Sequence, residues 1–190
     1  MTKETARPPD SRVERSRAAV LAETYRQLSE SGIGGVSIDE ISRRSGVSKT
    51  TIYRHWPSRS ALLLDACANL GAPAPLPNTG DFRHDLRILL TELARQLGDS
   101  NWSKVYPSIL DAAERDPDVA DLQGKLHHSF MAPFVTVLDQ AKASADPSLP
   151  QRATADIVAG LIGPLFFRRW FSREPIDERF VATVIESSLA

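Results

Sequence analysis

Lys49, Thr50, Thr51, Tyr53, Arg54 and His55 crowd together in the segment SGVSKTTIYRHW. Lys and Arg donate to guanine edges or to phosphates, a Thr methyl packs on a thymine methyl, and hydroxyls hydrogen-bond phosphate oxygens. With helical spacing Ile52 and Trp56, four apart, face inward. Thr50 and Arg54 then turn outward, with Lys49 and Tyr53 beside them. Ser48 stands where an N-cap belongs, and the helix start offers backbone N–H groups to a phosphate. Such a short helix buries little apolar area, so its composition points to a polar, charged partner rather than to a core.

The flanking residues supply the elements that would position this face. Ser37 and Glu40 have capping-box spacing, with Val36 and Ile41 as a hydrophobic staple, so a helix is predicted over 38–45. Gly46 breaks it. Ser48 caps the next helix, with Val47 and Ile52 as staple pair, and that helix runs to about Trp56, before Pro57. Ser58 caps a fourth helix, to about Leu70. Ahead of these, residues 12–31 carry Val13, Val20, Leu21, Thr24 and Leu28 on one stripe and end at SGIGG, where Gly32, Gly34 and Gly35 stop the helix. Two short helices joined by the turn SGVS make a helix-turn-helix, whose second helix enters a DNA major groove.

Strand signals are nearly absent and helical spacing recurs, so the chain reads as all-α. The Pro- and Gly-rich stretch GAPAPLPNTG, 71–80, separates a domain over 1–70 from one over 81–190. Helices are expected near 81–98, 102–115, 118–143, 151–172 and 177–189. The net charge of −1 is unevenly shared: residues 1–70 hold 11 Lys+Arg against 8 Asp+Glu, whereas 71–190 hold 12 against 16. The positive half is the one with the helix-turn-helix, the direction expected for a polyanion partner. The single cysteine, Cys67, excludes an intramolecular disulfide and sits in an apolar run that reads as packing. The polar start MTKETARPPD lacks a signal core, and the apolar run 157–167 is too short to span a bilayer. A cytoplasmic protein without a membrane partner is the expectation.

The segment SIDEISRRSGVSKTTIYRHWPSRSALL resembles the DNA-binding domain of TetR-type transcriptional regulators. The matching positions are Ser37, Ile41, Ser42, Gly46, Val47, Ser48, Ile52, Tyr53, His55, Ser58, Leu62 and Leu63. Trp56 replaces the usual Phe and Arg59 the usual Lys. The preceding segment RAAVLAETYRQLSESG is similar to the family's first helix, and LPNTGDFRHDLRILL and GPLFFRRWFSREPIDERFV look like one of its ligand-domain subtypes. The resemblance implies a homodimer joined through the last two helices, binding of double-stranded palindromic operator DNA by two copies of the third helix, and release by a small-molecule effector. It places Lys49, Thr50, Thr51, Tyr53 and Arg54 at base edges and nearby phosphates, and Ser37, Ser48, His55 and Arg59 at the DNA backbone. Arg7 and Arg12 of the arm ARPPDSR are offered to phosphates or a minor groove.

Other chemistries find little support. His127 and His128 are adjacent and diverge by about 100° on a helix, which does not suit one metal ion; one inward and one outward His is expected. The acids of ERDPDVAD suit a helix start. No nucleophile triad order, phosphate loop or dinucleotide fingerprint occurs, so neither an enzyme nor a cofactor is expected. The aromatics of the second half pack a core as readily as a pocket; Trp102, Tyr106, Phe130 and Phe134 are the candidates for lining a mostly apolar effector cavity. GLIGPLFFRRWF is too apolar for a surface helix, and Leu161, Leu165, Phe180 and Val184 are the candidates for the dimer interface. A helical interaction protein or a ligand-independent regulator that kept the fold is the alternative reading; salt-dependent binding to a palindromic duplex would exclude the interaction protein.

Overall fold

A computed structural model of the chain describes residues 11–68, 76–99 and 102–190, with backbone alone for 11, 68, 99 and 102. The described residues form α1 (Ser11–Ser31), a 3₁₀ turn (Ile33–Gly35), α2 (Ile38–Ser45), α3 (Lys49–His55) and α4 (Arg59–Ala68). There follow α5 (Phe82–Asp99), α6 (Trp102–Ala113), α7 (Pro117–Ala143), α8 (Thr154–Phe167), a π turn (Arg168–Ser172) and α9 (Glu178–Ser188). None of the described residues is in a strand, and no described helix is long and apolar enough to cross a membrane. Arg7 lies outside the described residues, while Arg12 is exposed on α1.

The chain divides into two compact units. Of the described residues, those up to Ala68 together with Lys104–Gln123 form one, and those from Leu76 to Ser103 with Gly124–Ala190 form the other. Helix α6 from Lys104 onward and the start of α7 thus belong with the first four helices.

In the first unit α1 packs against α2 and α4. Val20, Thr24 and Leu28 form its buried stripe, while Val13, one turn from the described start, is 41% exposed. Gly32 has φ 65°, and a Cβ there would meet the Ser108 Cβ at 2.9 Å. The same Ser108 accepts from the Ile33 N–H at 3.1 Å. Glycine is therefore required both for its backbone and for its closeness to α6. Cys67 is buried, and burial pushes its thiol up to about 12, so it packs and does not react. Asp116 starts α7, its carboxylate accepting from the Asp118 and Val119 N–H groups.

In the second unit α5, α8, α9 and the later part of α7 share one apolar core. Asp81 caps α5 through the Arg83 N–H at 2.9 Å, and Asp177 caps α9 through the Phe180 N–H at 2.8 Å. Buried Asp85 accepts from the Thr79 hydroxyl at 2.8 Å and from its N–H, which ties the connecting strand of chain to α5. The expected helix over 151–172 begins at Thr154 and changes character at Arg168, where the backbone widens into the π turn. Side-chain bonds to the first turn of α6 anchor that turn: Trp170 Nε1 donates to the Ser103 carbonyl and Arg169 to its hydroxyl, both at 3.2 Å.

Burial corrects two expectations. Leu161 and Leu165 are fully enclosed, and Val184 is buried with them in the core of their own subunit. They hold α8 and α9 to the same chain and present no side chain to a second copy. Phe180 is half-buried, its ring lying 3.5 Å beneath the Arg168 guanidinium. His127 and His128 are both exposed, because the buried stripe of α7 through Leu126, Phe134, Val137, Leu138 and Ala141 leaves neither on its inner face.

Replacing Leu161 by Ala should lower unfolding free energy by about 2–5 kcal/mol, as for other fully buried leucines. A denaturant titration followed by far-ultraviolet circular dichroism measures it.

Candidate nucleic-acid interface

Helix α2 is fixed at both ends. Ser37 caps it, its hydroxyl accepting from the Glu40 N–H at 3.5 Å. The Ser37 N–H is itself taken by Gln27 Oε1 at 2.9 Å, and the Gln27 amide donates to Glu23 at 3.0 Å. Gln27 is buried, so this chain of bonds is a specific tie between α1 and the start of α2. The hydrogen bonds from Arg26 pull the Glu23 carboxyl down to about 2, against burial, which pushes it up. On the outer side Glu40 accepts from both Arg43 and Arg44, Arg43 chiefly, and is likewise held near 2. Gly46 ends α2 with φ 69°, the left-handed residue that a helix C-terminus favours.

Helix α3 follows at once. Ser48 accepts from the Thr51 N–H at 3.3 Å and shares a hydrogen bond with the Thr51 hydroxyl at 2.9 Å. At the other end the Trp56 N–H returns to the Ile52 carbonyl at 2.9 Å. Ile52 and Trp56 are both buried. The Trp56 indole N–H donates to Asp65 Oδ2 at 2.8 Å, and Arg17 reaches the same oxygen at 2.6 Å. Burial pushes the Asp65 carboxyl up, but the bonds from Arg17 and Trp56 outweigh it and hold the group below its ordinary range. The aromatic plug of α3 is therefore hydrogen-bonded to α4 and through Asp65 to α1.

This seating sets the opposite face. Lys49, Thr50, Tyr53 and Arg54 are all exposed, with Tyr53 at 49%. The Lys49 ammonium pairs with Asp39 of α2. Ser37 and Ser48 are exposed at the starts of their helices. Thr51 and His55 are half-buried on the flanks, the His55 ring tilted against Trp56 at 5.7 Å. Arg59 is different: its guanidinium donates to the carbonyls of Val36, at 3.3 Å, and Ile33, so in this state it braces the turn ahead of α2.

Gln27, Asp65, Arg17 and Asp39 are the residues that sequence reasoning missed. Two signals were available. A buried Trp needs an acceptor for its N–H, and Glu23 and Gln27 stand four apart on the helix that must support α2. Of the aromatics expected to line an effector cavity, Tyr106, Phe130 and Phe134 do not border the cavity described in the second unit. Phe134 lies in that unit's core, Phe130 is half-buried on α7, and Tyr106 is buried in the first unit. The Trp102 side chain lies outside the described residues. The cavity, of about 270 Å³, is bordered by Ala94, Gly98 and the segment from Arg168 to Ile176 instead.

Comparison with known proteins agrees with this geometry. Residues 20–66 match the family described as bacterial regulatory proteins, tetR family. Residues 76–187 match the tetracycline repressor-like C-terminal domain. The chain belongs to the TetR family. An HTH-type transcriptional regulator of Mycobacterium tuberculosis is 30% identical over 173 residues, covering 88% of this chain and 82% of that protein. The TetR repressor of Mycobacteroides abscessus is 25% identical over 185 residues, 94% of each chain. Among solved structures, the TetR family regulator SCO0332 is 29% identical, with a TM-score of 0.70 over 92% of this chain and 97% of that one. The flavonoid-responsive regulator FrrA, at 20% identity, shares the fold with a TM-score of 0.70 over 93% and 94%. Like its relatives, this TetR-family protein is a transcriptional regulator with a DNA-binding helix-turn-helix, and not an enzyme.

Two outcomes test the seating of the reading helix. Trp56→Phe keeps the plug but removes the donor to Asp65, and should destabilise the chain by about 1–3 kcal/mol. Glu23 titrates near 2 when folded against an ordinary 4.5. Its stabilising contribution is thus complete above the ordinary value and is lost as pH falls from there towards 2. Melting curves of Glu23→Gln against wild type should differ at neutral pH and converge in acid.

Proposed function

We propose that this protein is a dimeric repressor that binds a palindromic operator through two copies of α3 and leaves it when a small effector binds the C-terminal domain. The observation that carries the proposal is the outward face of α3, where Lys49, Thr50, Tyr53 and Arg54 are exposed while Ile52 and Trp56 are locked inside. Lys49 and Arg54 read base edges or phosphates, Tyr53 and Thr50 contact phosphates and methyl groups, and Ser37, Ser48, Thr51 and His55 border the DNA backbone. Arg59 contributes through the turn it braces, and reaches phosphate only by releasing a carbonyl. Residues 1–70 are the DNA-binding domain, 71–80 the connection, and 81–190 the effector and dimerisation domain. The protein works in the cytoplasm, where its operator is.

Dimerisation through α8 and α9 uses the outward side of α8. Ala155, Ala159, Gly163 and Phe167 are exposed at four-residue spacing, and Phe167 stacks on exposed Phe171 at 5.6 Å. Small side chains allow close helix approach and the aromatic pair supplies apolar area. The repressor named among the relatives supports that sign of regulation, and the flavonoid-responsive regulator of the same fold supports an effector-driven switch. By linkage an effector that releases DNA binds the DNA-free form more tightly, and DNA weakens the effector by the same factor.

Gel-shift titrations on an operator selected from random duplexes test the reading. Wild type should bind with a steep loss of affinity as salt rises. Arg54→Ala should lose roughly 1–3 kcal/mol of discrimination at the base it reads. A Lys49, Tyr53, Arg54 triple alanine variant, folded by circular dichroism, should lose specific binding; wild-type affinity in that variant contradicts the assignment.

A further inference from the structure

The cavity of about 270 Å³ in the second unit lies beside its apolar core and has an unusual charge for a small-molecule pocket. Arg168, Arg169 and Arg173 border it against one acid, Glu174, while Ala94, Gly98, Pro175 and Ile176 supply apolar wall. Arg168 is already committed. It donates to the Pro175 carbonyl at 2.6 Å, pairs with Glu174 at 3.3 Å and lies over the Phe180 ring. The other two cations are not balanced in this way. Arg169 gives one bond, to the Ser103 hydroxyl, and its Nε is buried with no hydrogen-bond acceptor among the described residues. Buried polar groups nearly always find a partner, and a guanidinium donor left without one is expensive. Arg173 makes no ion pair or hydrogen bond among the described residues and is exposed at the rim.

The backbone here is also out of the ordinary. The arginines sit on the π turn Arg168–Ser172 and on its cap Arg173, which has φ 58°. π turns concentrate at functional sites, and a bulky residue in the left-handed region is uncommon enough to require a reason. Here the widened turn brings Arg169 and Arg173 to one cavity, a spacing of four residues along the chain.

We propose that this cavity binds a small organic carboxylate, its oxygens accepting from Arg169 and Arg173 and its compact body resting on Ala94, Pro175 and Ile176. A planar carboxylate matches the guanidinium fork, and charge-assisted bonds of this kind are about twice as strong as neutral ones. The volume lies just below the usual range of small-molecule pockets, about 300–1,000 Å³, which selects a ligand smaller than a drug-sized molecule. The proposal names a ligand class for the effector reading and rests on it only for the consequence at the operator; binding to the DNA-free chain does not depend on that reading.

The test uses the full chain without DNA, titrated calorimetrically with acetate, butyrate and benzoate, and with benzamide as neutral counterpart of benzoate. At least one carboxylate should saturate with a millimolar or tighter dissociation constant while benzamide does not. The indole N–H resonance of Trp170, between the two arginines in sequence, should shift during that titration. Arg173→Ala, at an exposed position, and Arg169→Met should each weaken the carboxylate about tenfold or more, and Arg173→Lys should keep part of the affinity. Failure of all three carboxylates to saturate overturns the site. So does equal binding of benzamide, binding of inorganic phosphate in place of carboxylate, or affinity within twofold of wild type in both arginine variants. Operator release is then read separately: a carboxylate that binds here without changing DNA affinity leaves this site standing and removes it from the switch.

Discussion

A helix of seven residues cannot hold itself together in water, since the nucleation penalty of its first turn is recovered only over many more residues. Everything α3 can do for DNA depends on how its inner side is held. Ile52 and Trp56 are buried, Ser48 closes one end, and the Trp56 backbone closes the other. The indole N–H on Asp65, with Arg17 on the same oxygen, turns an apolar plug into an oriented one. With the rotation of α3 set in this way, the polar residues face outward as a consequence of packing.

The surface charges around this helix do a different job. Glu40 with Arg43 and Arg44, and Lys49 with Asp39, are exposed pairs, and exposed pairs contribute little to stability. Their effect is on where cations stand before DNA arrives. Lys49 is already directed across the first turn of α2 by Asp39, and in the proposed complex contact with a phosphate would exchange one anionic partner for another. The network beneath, Arg26 to Glu23 to Gln27 to the Ser37 N–H, is more enclosed and sets the start of α2 relative to α1.

The helix-turn-helix was legible because its signals are local. Ser37 three residues before Glu40, Gly46 at the break, Ser48 before Thr51 and the Ile52–Trp56 spacing each specify one piece of backbone geometry, and they agree with one another. The bonds that lock these pieces in place were not legible, because they join residues far apart in the chain. Asp65 to Arg17, Gln27 to Ser37 and Arg59 to Ile33 depend on tertiary placement; the need of a buried Trp for an acceptor and the spacing of Glu23 and Gln27 signal that partners exist without naming them. The same limit explains α8. Its apolar residues pointed to burial, but composition alone did not distinguish its own core from a partner: Leu161 and Leu165 face inward, whereas Phe167 and Phe171 are 58% and 76% exposed. The π turn after Phe167 had no sequence signature, since nothing in RRWFS forbids a continuing α-helix.

The central claim is that the α3 face built on buried Ile52 and Trp56 lies in the DNA major groove. Protection of guanine N7 from dimethyl sulfate on a selected operator tests it most directly, because N7 is a major-groove atom that such a helix must cover. The account predicts two protected patches about 34–36 Å apart, or a multiple of that spacing, related by the operator's two-fold symmetry. Full operator binding with every guanine N7 still reactive, and protection confined to minor-groove adenine N3, would contradict it.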